Sequence, residues 1–304
     1  MSAVTRWFFA QTVLCAAVLI VLATAASAQA FKPTPAPFPN GKLGGILQAV
    51  TRENPPSLSL IDETTISVLW LTMPIFNNLV LYEPFRQAED SEHLIGELAE
   101  SWAWSDGGKR LTFTLRRGVK WHDGKPFTSA DVKYTLELVR GVNEKKLRLN
   151  ARKGLWENVK DTVTDGDYKV TLVLNRPQPG LLSILANGFA PIYPAHVDLA
   201  DMRSKPVGTG PFRIKEFLAD QNLKLEKNPD YFVKGRPYLD GIQYTIIRER
   251  GSRMAALMAG QVALSFPNDG TAAAYEQVKT AVPQIVVYKV ASGVPENILV
   301  NLRK

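Results

Sequence analysis

The sequence predicts a mixed α/β fold, in which strands alternate with helices and some strands are joined directly by tight turns. Apolar residues at every second position indicate half-buried strands, and apolar residues three or four positions apart indicate amphipathic helices. The two patterns occur together, as is typical of mixed sheets covered by helices. With 304 residues, 45% of them hydrophobic, the chain is long enough for one large domain or two ordinary ones.

The first 30 residues are expected to be a secretory signal peptide and to lie outside the fold. Arg6 precedes an apolar run at residues 13–22, and two A-x-A cleavage sites follow at residues 26–28 and 28–30. A retained transmembrane anchor is the alternative, but the apolar run is short for a span of about 20 residues. The pattern therefore predicts cleavage at residue 28 or 30 and a periplasmic protein.

Cysteine and charge exclude several classes of protein. Cys15, the only cysteine, lies in the predicted signal peptide behind Leu14, where a lipoprotein would need a small residue. The mature chain is therefore expected to have neither a lipid anchor nor a disulfide nor a thiol site. The 36 Lys and Arg residues are interleaved with 29 Asp and Glu residues, which indicates a solvated, mildly basic surface and no nucleic-acid partner.

The first predicted strand covers residues 44–50, which follow four prolines in an extended leader at residues 31–42. Pro55 and Pro56 break the strand, because proline has no N–H for a sheet ladder. Residues 64–82 then carry apolar groups at helical spacing, and the proline at position 74 limits or kinks this helix.

A hairpin and a capped helix follow. Residues 101–116 form two strands around a glycine turn at 106–108. Thr128 stands three residues before Asp131, which is the spacing of a capping box, and this predicts a helix that begins near Ser129.

The remaining chain alternates strands with helices. A basic helical stretch is expected after the capped helix, and a second hairpin turns at Asp165 and Gly166. The later strands are predicted at residues 159–164, 168–174, 212–217, 223–227, 242–247 and 284–290. Further helices are predicted at residues 179–187, 252–259 and 271–281.

Catalytic and metal-binding motifs are absent from the sequence. Neither G-x-S-x-G nor H-E-x-x-H occurs. Residues 118–125 look like a phosphate loop, but the glycines are one residue too far apart and Pro126 replaces the Ser or Thr that would meet magnesium. We interpret His122 and Asp123 as a hydrogen-bonded loop pair rather than metal ligands. No catalytic residue, metal or cofactor is predicted, and a secreted hydrolase is the least favoured function.

Several sequence blocks resemble the family 5 bacterial extracellular solute-binding proteins, the peptide- and nickel-binding receptors of ATP-driven importers. Residues 111–132, LTFTLRRGVKWHDGKPFTSADV, closely resemble the family signature. The blocks PVGTGPF at 206–212 and NPDYF at 228–232 are the next strongest. The resemblance runs in the expected order from about residue 42 to residue 304.

The resemblance implies a type II periplasmic-binding-protein-like fold, in which two lobes close around a solute. It assigns residues 43–60 and 191–290 to the first lobe and residues 61–190 to an inserted domain. Residues 291–304 are then the start of a truncated second lobe. The implied function is the periplasmic component of an ABC importer, a monomer that passes a peptide-like solute to an inner-membrane permease. A fragmentary receptor without transport competence is the alternative, and an opine or nickel stays open as the solute.

Five residues are predicted to line the solute cleft, namely Glu53, Asn54, Gly208, Thr209 and Gly210. A strand that ends before two prolines leaves backbone groups free, and extended peptides are held by adding to such a strand. The alternative for Glu53 and Asn54 is that they are turn residues before Pro55. The alternative for the loop at 208–210 is a tight structural turn, and for this loop we favour the alternative. In peptide-binding members of the family, the carboxylate that pairs with the peptide's amino terminus lies in the second lobe.

Overall fold

The computed structural model describes residues 43–63, 65–84, 86, 89–266 and 269–287. The predicted signal peptide, the leader at 31–42 and the start of a second lobe at 291–304 lie outside these residues. Within the described ranges, ten strands form three sheets, and six α-helices accompany them. This arrangement agrees with the predicted mixed α/β class.

The strands and helices are named here in chain order. The strands are β1 (Ile46–Thr51), β2 (Val80–Tyr82), β3 (Leu94–Gly96), β4 (Ala99–Ser105), β5 (Arg110–Leu115), β6 (Val159–Thr164), β7 (Lys169–Leu174), β8 (Phe212–Leu218), β9 (Asn222–Lys227) and β10 (Gly241–Ile246). The helices are α1 (Ile66–Thr72), α2 (Ser129–Arg140), α3 (Leu181–Ala186), α4 (Leu199–Met202), α5 (Arg250–Met258) and α6 (Ala272–Ala281).

The first sheet has the strand order β1-β10-β9-β8. β1 runs parallel to β10, and the other two pairings are antiparallel. β1 is an edge strand, and a short segment covers part of its outer edge. Ala263 N–H donates to the carbonyl of Gln48 (2.8 Å), and Val50 N–H donates to the carbonyl of Leu264 (3.2 Å). The edge after Val50 therefore extends past this cover.

The second large sheet consists of the two predicted hairpins, in the order β4-β5-β7-β6, and every pairing is antiparallel. α2 packs against β6 and β7. Its predicted capping box is confirmed, because the Asp131 carboxylate accepts from Thr128 N–H (2.9 Å) while the Thr128 hydroxyl accepts from Ala130 N–H (3.3 Å). Local sequence signals thus account for the two hairpins, and the long-range β5–β7 pairing joins them into one sheet.

One hydrophobic core underlies both large sheets. It contains Ala49 and Tyr244 of the first sheet and Phe113 and Leu172 of the second. A smaller cluster includes Val50 and residues of α5 and α6. Burial of these side chains, at roughly 25 cal/mol per Å² of apolar surface, is the main force that holds the sheets together.

Three predicted elements differ from the structure. The basic helical stretch is wrong, because residues 141–152 contain no helix. Gly141, at φ +73°, ends α2, and the side chains of Arg148 and Arg152 then reach back to Glu63 (2.5 and 2.6 Å). The helix expected at residues 64–82 ends at Thr72 before the proline, and its last three residues form β2. Of the predicted strand at 284–290, residues 284–287 are irregular and the rest lies outside the described ranges.

Candidate functional site

The three residues after β1, Arg52, Glu53 and Asn54, carry the chain away from the strand through a bend at the first two, and we call them the exit segment. The carbonyl of Val50 accepts from the Trp70 indole N–H (2.9 Å), and the carbonyl of Thr51 accepts from the N–H of residue 247 (2.9 Å). Beyond these bonds, the backbone N–H and C=O groups of the exit segment have no hydrogen-bond partner in the described part of the chain. They are available to an added strand.

The side chains of Glu53 and Asn54 are both engaged within the chain. The Glu53 carboxylate accepts from the Ser67 hydroxyl (2.5 Å) and from Arg52 Nε (3.2 Å). These hydrogen bonds, that of Ser67 most strongly, lower the pKa of Glu53. Asn54 Nδ2 donates to Asp220 Oδ1, and Asp220 N–H donates to Asn54 Oδ1, both at 2.8 Å. The sequence predicted where the strand ends. The structure adds that the side chains of Glu53 and Asn54 are bonded to Ser67 and Asp220.

An aromatic wall borders the exit segment. The Arg52 guanidinium lies over the Phe266 ring, 5.0 Å from its centre, and Trp70 meets Phe266 edge-on at 6.1 Å. Asp269, whose N–H donates to the carbonyl of Phe266 (3.3 Å), forms a buried bidentate pair with Arg253, which donates to both carboxylate oxygens (2.7 and 2.5 Å). Phe266 is therefore bonded through its backbone to one member of a buried charged pair, and it also packs in the smaller hydrophobic cluster.

The predicted glycine loop lies in the interior. Gly208, Thr209 and Gly210 are buried, and Gly210 N–H donates to the carbonyl of Ile75 (2.9 Å). A Cβ on Gly208 would lie 1.9 Å from the same carbonyl oxygen. The Thr209 hydroxyl donates to Asn77 (3.0 Å). These internal contacts favour the tight structural turn, and a ligand-binding role for the loop stays a prediction.

His122 locks this loop from the other side. Its Nδ1 accepts from Gly208 N–H (3.2 Å), so its Nε2 carries the proton and donates to the carbonyl of Gly210 (3.0 Å). Burial lowers the pKa of His122 to about 4. The interpretation of His122 and Asp123 as a bonded pair is wrong, because Asp123 accepts instead from His196 (2.7 Å). The two neighbours point to different partners.

Glu97, between β3 and β4, is a partly buried acid that shares the partner Asn77 with Thr209, and sequence reasoning missed it. Its carboxylate accepts from Asn77 Nδ2 (2.5 Å) and from Asn78 N–H (2.6 Å). Burial raises the pKa of Glu97 to about 7. A single glutamate between two short strands reads as a solvated residue, so the sequence contains no sign of this enclosure.

We expect Glu97 and His122 to give opposite pH dependences of stability. Glu97 has a raised pKa, so its stabilising contribution is complete below pH 4.5 and is lost as the pH rises through 7. His122 has a lowered pKa, so its contribution is complete above pH 6.5 and is lost as the pH falls through 4. When the pH falls from 7 to 5, protonation of Glu97 should stabilise the folded wild type by up to about 2 kcal/mol. Glu97→Gln lacks this gain, so its unfolding free energy in urea should fall by that much relative to the wild type.

The control for this experiment is His122→Gln. Its unfolding free energy should rise relative to that of the wild type when the pH falls from 7 to 5. An equal change in unfolding free energy for the wild type and both variants between pH 7 and pH 5 would contradict the assignment of these two groups.

Other features of the described chain lie away from the exit segment. No three His, Cys, Asp or Glu side chains in the described ranges are grouped so as to hold a metal ion. None of the described helices has the length and apolar character needed to cross a bilayer. A surface groove of about 360 Å³ lies where α2 and β6 meet, and its lining includes Arg140, Lys153 and Trp156 but none of the five predicted site residues.

Comparison with known proteins gives consistent matches. Residues 93–304 match the family model described as "Bacterial extracellular solute-binding proteins, family 5 Middle". The oligopeptide-binding protein AppA of Bacillus subtilis (strain 168) is 34% identical over 193 residues, which are 60% of this chain and 34% of AppA.

Two solved structures show the same fold. AppA from Bacillus subtilis in complex with a nonapeptide has a TM-score of 0.66 and 27% identity, and the match covers 79% of this chain and 47% of AppA. MoaA in complex with mannopinic acid, from A. tumefacien R10, has a TM-score of 0.70 and 25% identity, and the match covers 80% of this chain and 48% of MoaA.

The shared fold confirms the periplasmic-binding-protein-like class of mixed sheets with helices. The chain spans less than half of the length of each of these relatives. Proteins of the matched family are extracellular solute-binding proteins and not enzymes. Because the family model matches more than half of its residues, the chain belongs to the bacterial extracellular solute-binding proteins, family 5.

Proposed function

We propose that this chain belongs to a receptor that captures a peptide-like solute through the backbone of the exit segment. The observation that carries the proposal is the edge strand β1, which runs into three residues whose backbone groups have no partner among the described residues. An extended peptide satisfies such groups by pairing as an additional strand. The nonapeptide bound to AppA, a protein of the same family, supports the peptide as the solute class.

The domain organisation and the site of action are part of the same proposal. Residues 43–60 and 191–290 form a lobe around the β1-β10-β9-β8 sheet, and residues 61–190 form an inserted domain around the β4-β5-β7-β6 sheet. The solute is held when this lobe closes against a second lobe, a hinge motion driven by tighter binding to the closed state.

The receptor acts in the periplasm as a monomer after cleavage of the signal peptide, and it delivers the solute to an inner-membrane ABC permease. The signal-like first 30 residues support export. Amino-terminal sequencing of the secreted protein tests the cleavage, and a mature chain that still begins at Met1 would contradict it.

Peptides should raise the melting temperature of the protein encoded by the complete reading frame. Ligand that binds only the folded state at 100 times its Kd adds about 2.7 kcal/mol of stability, which is a shift of several degrees. The measurement is a thermal-shift screen of dipeptides to nonapeptides, with free amino acids as the control. Mannopinic acid and Ni²⁺ form the comparison arms. If mannopinic acid alone stabilises the protein, the solute is an opine and not a peptide. If Ni²⁺ alone stabilises it, the solute is a metal complex.

A further inference from the structure

Two side chains from other elements clamp the exit segment. Ser67, fully buried in the first turn of α1, donates its hydroxyl hydrogen to the Glu53 carboxylate at 2.5 Å. Asp220, in the turn between β8 and β9, exchanges two hydrogen bonds of 2.8 Å with the side chain of Asn54. The clamps therefore reach the exit segment from two different directions along the chain.

The turn that carries Asp220 is itself braced. Asp220 has a φ of +62°, which side-chain-bearing residues rarely adopt, and Asn and Asp tolerate it best. The Arg248 guanidinium, at the end of the first sheet, pairs with the same carboxylate. The carboxylate thus connects the Asn54 side chain to Arg248, two residues after β10.

Both clamps act on side chains, so they fix the exit segment without using its backbone hydrogen-bonding groups. We propose that Ser67 and Asp220 are positioning residues, which hold the backbone of residues 52–54 ready to pair with the main chain of an extended peptide. The inference rests on the proposed function and deepens it.

The physical reason is preorganisation. Three residues without backbone partners lose conformational freedom when a ligand orders them, and that loss weakens binding. A segment that is already held by its side chains loses less. Removal of either clamp should therefore weaken the binding of a peptide, and it should do so through the ligand's backbone contacts.

The test is a double-mutant cycle between the protein and the peptide backbone, in the protein encoded by the complete reading frame. The probes are the pentapeptide Ala-Ser-Ala-Ser-Ala and four analogues, each methylated at one amide nitrogen, and Kd is measured by calorimetry. In the wild type, methylation of at least one amide should weaken binding tenfold or more. Ser67→Ala removes its clamp, and Asp220→Ala removes the carboxylate half of the other, because the N–H of residue 220 still donates to Asn54 Oδ1. Both variants should weaken the unmodified peptide about tenfold and reduce that methylation penalty to below threefold.

Two control variants separate positioning from general damage. Asp220→Asn retains both hydrogen bonds to Asn54, and Ser252→Ala removes an exposed helical hydroxyl of α5, away from Glu53. Both should stay within threefold of the wild type for every probe. Melting temperatures of all variants check that the fold is intact.

The outcomes distinguish the positioning role of Ser67 and Asp220 from peptide capture itself. If Ser67→Ala and Asp220→Ala keep the full methylation penalty, the positioning role is wrong although peptide capture stands. If no probe binds the wild type and no peptide stabilises it, peptide capture fails and the positioning role fails with it.

Discussion

Gly208→Ala is expected to lose about 3 kcal/mol or more of unfolding free energy, at the upper end of what overpacking costs. The added Cβ would lie 1.9 Å from the carbonyl oxygen of Ile75 and 2.7 Å from its carbon. That backbone is held in turn by the N–H of Gly210, so relief requires the movement of two chain segments and not of one flexible side chain. Urea unfolding followed by circular dichroism measures the loss.

Gly180→Ala is the matched control for this experiment. Gly180 precedes α3 with a φ of −70°, and an added Cβ there has no neighbour within 4 Å. Its stability should stay within about 0.5 kcal/mol of the wild type. If Gly208→Ala is as stable as this control, the loop is not the tight structural turn that the contacts indicate, and its predicted role at the cleft gains weight.

The second large effect is expected at the Arg253–Asp269 pair. Both side chains are about 95% buried, and Arg253 Nη1 also donates to the carbonyls of residues 247 and 248 at 2.8 Å. Arg253→Met leaves the Asp269 carboxylate without its partner in a buried environment, so a loss of about 3–5 kcal/mol is expected. The measurement is again urea unfolding.

The double variant Arg253→Met/Asp269→Leu is the diagnostic control, because it removes both charges together. It should recover much of the stability that the single change loses. Lys169→Met breaks the exposed pair with Asp165 and should cost less than about 1 kcal/mol. Equal losses for the single and the double Arg253 variants would show that packing, and not an unpaired charge, causes the effect.

The parts of the fold that the sequence predicted are those with short-range signals. Both hairpins alternate apolar and polar residues around glycine turns, and the helix after Thr128 has its cap in four consecutive residues. Such elements depend on neighbours within a few positions, so one sequence is enough to find them. The end of β1 was found in the same way, from an apolar strand followed by Pro55 and Pro56.

The missed parts depend on partners far along the chain. Nothing in the sequence near Glu53 or Asn54 indicates that their side chains would bond to Ser67 and Asp220, and Asp220 is 166 positions away from Asn54. The segment at 141–152 has a helical pattern of basic residues, but the pull of two of its arginines toward Glu63 prevails over propensity. Local pattern cannot reveal such competition.

The pairing of β1 with β10 also determines when the proposed site can be completed. Residues that meet across this parallel pair are 195 positions apart, as are Gly45 and Asp240, which bond at 2.9 Å. The hairpins of the other large sheet need only nearby residues, and contacts of long sequence separation form late in folding. The edge of β1 is therefore made early in the described chain but gains its neighbour only when residues 241–246 are in place, so the proposed site cannot form before those residues are available.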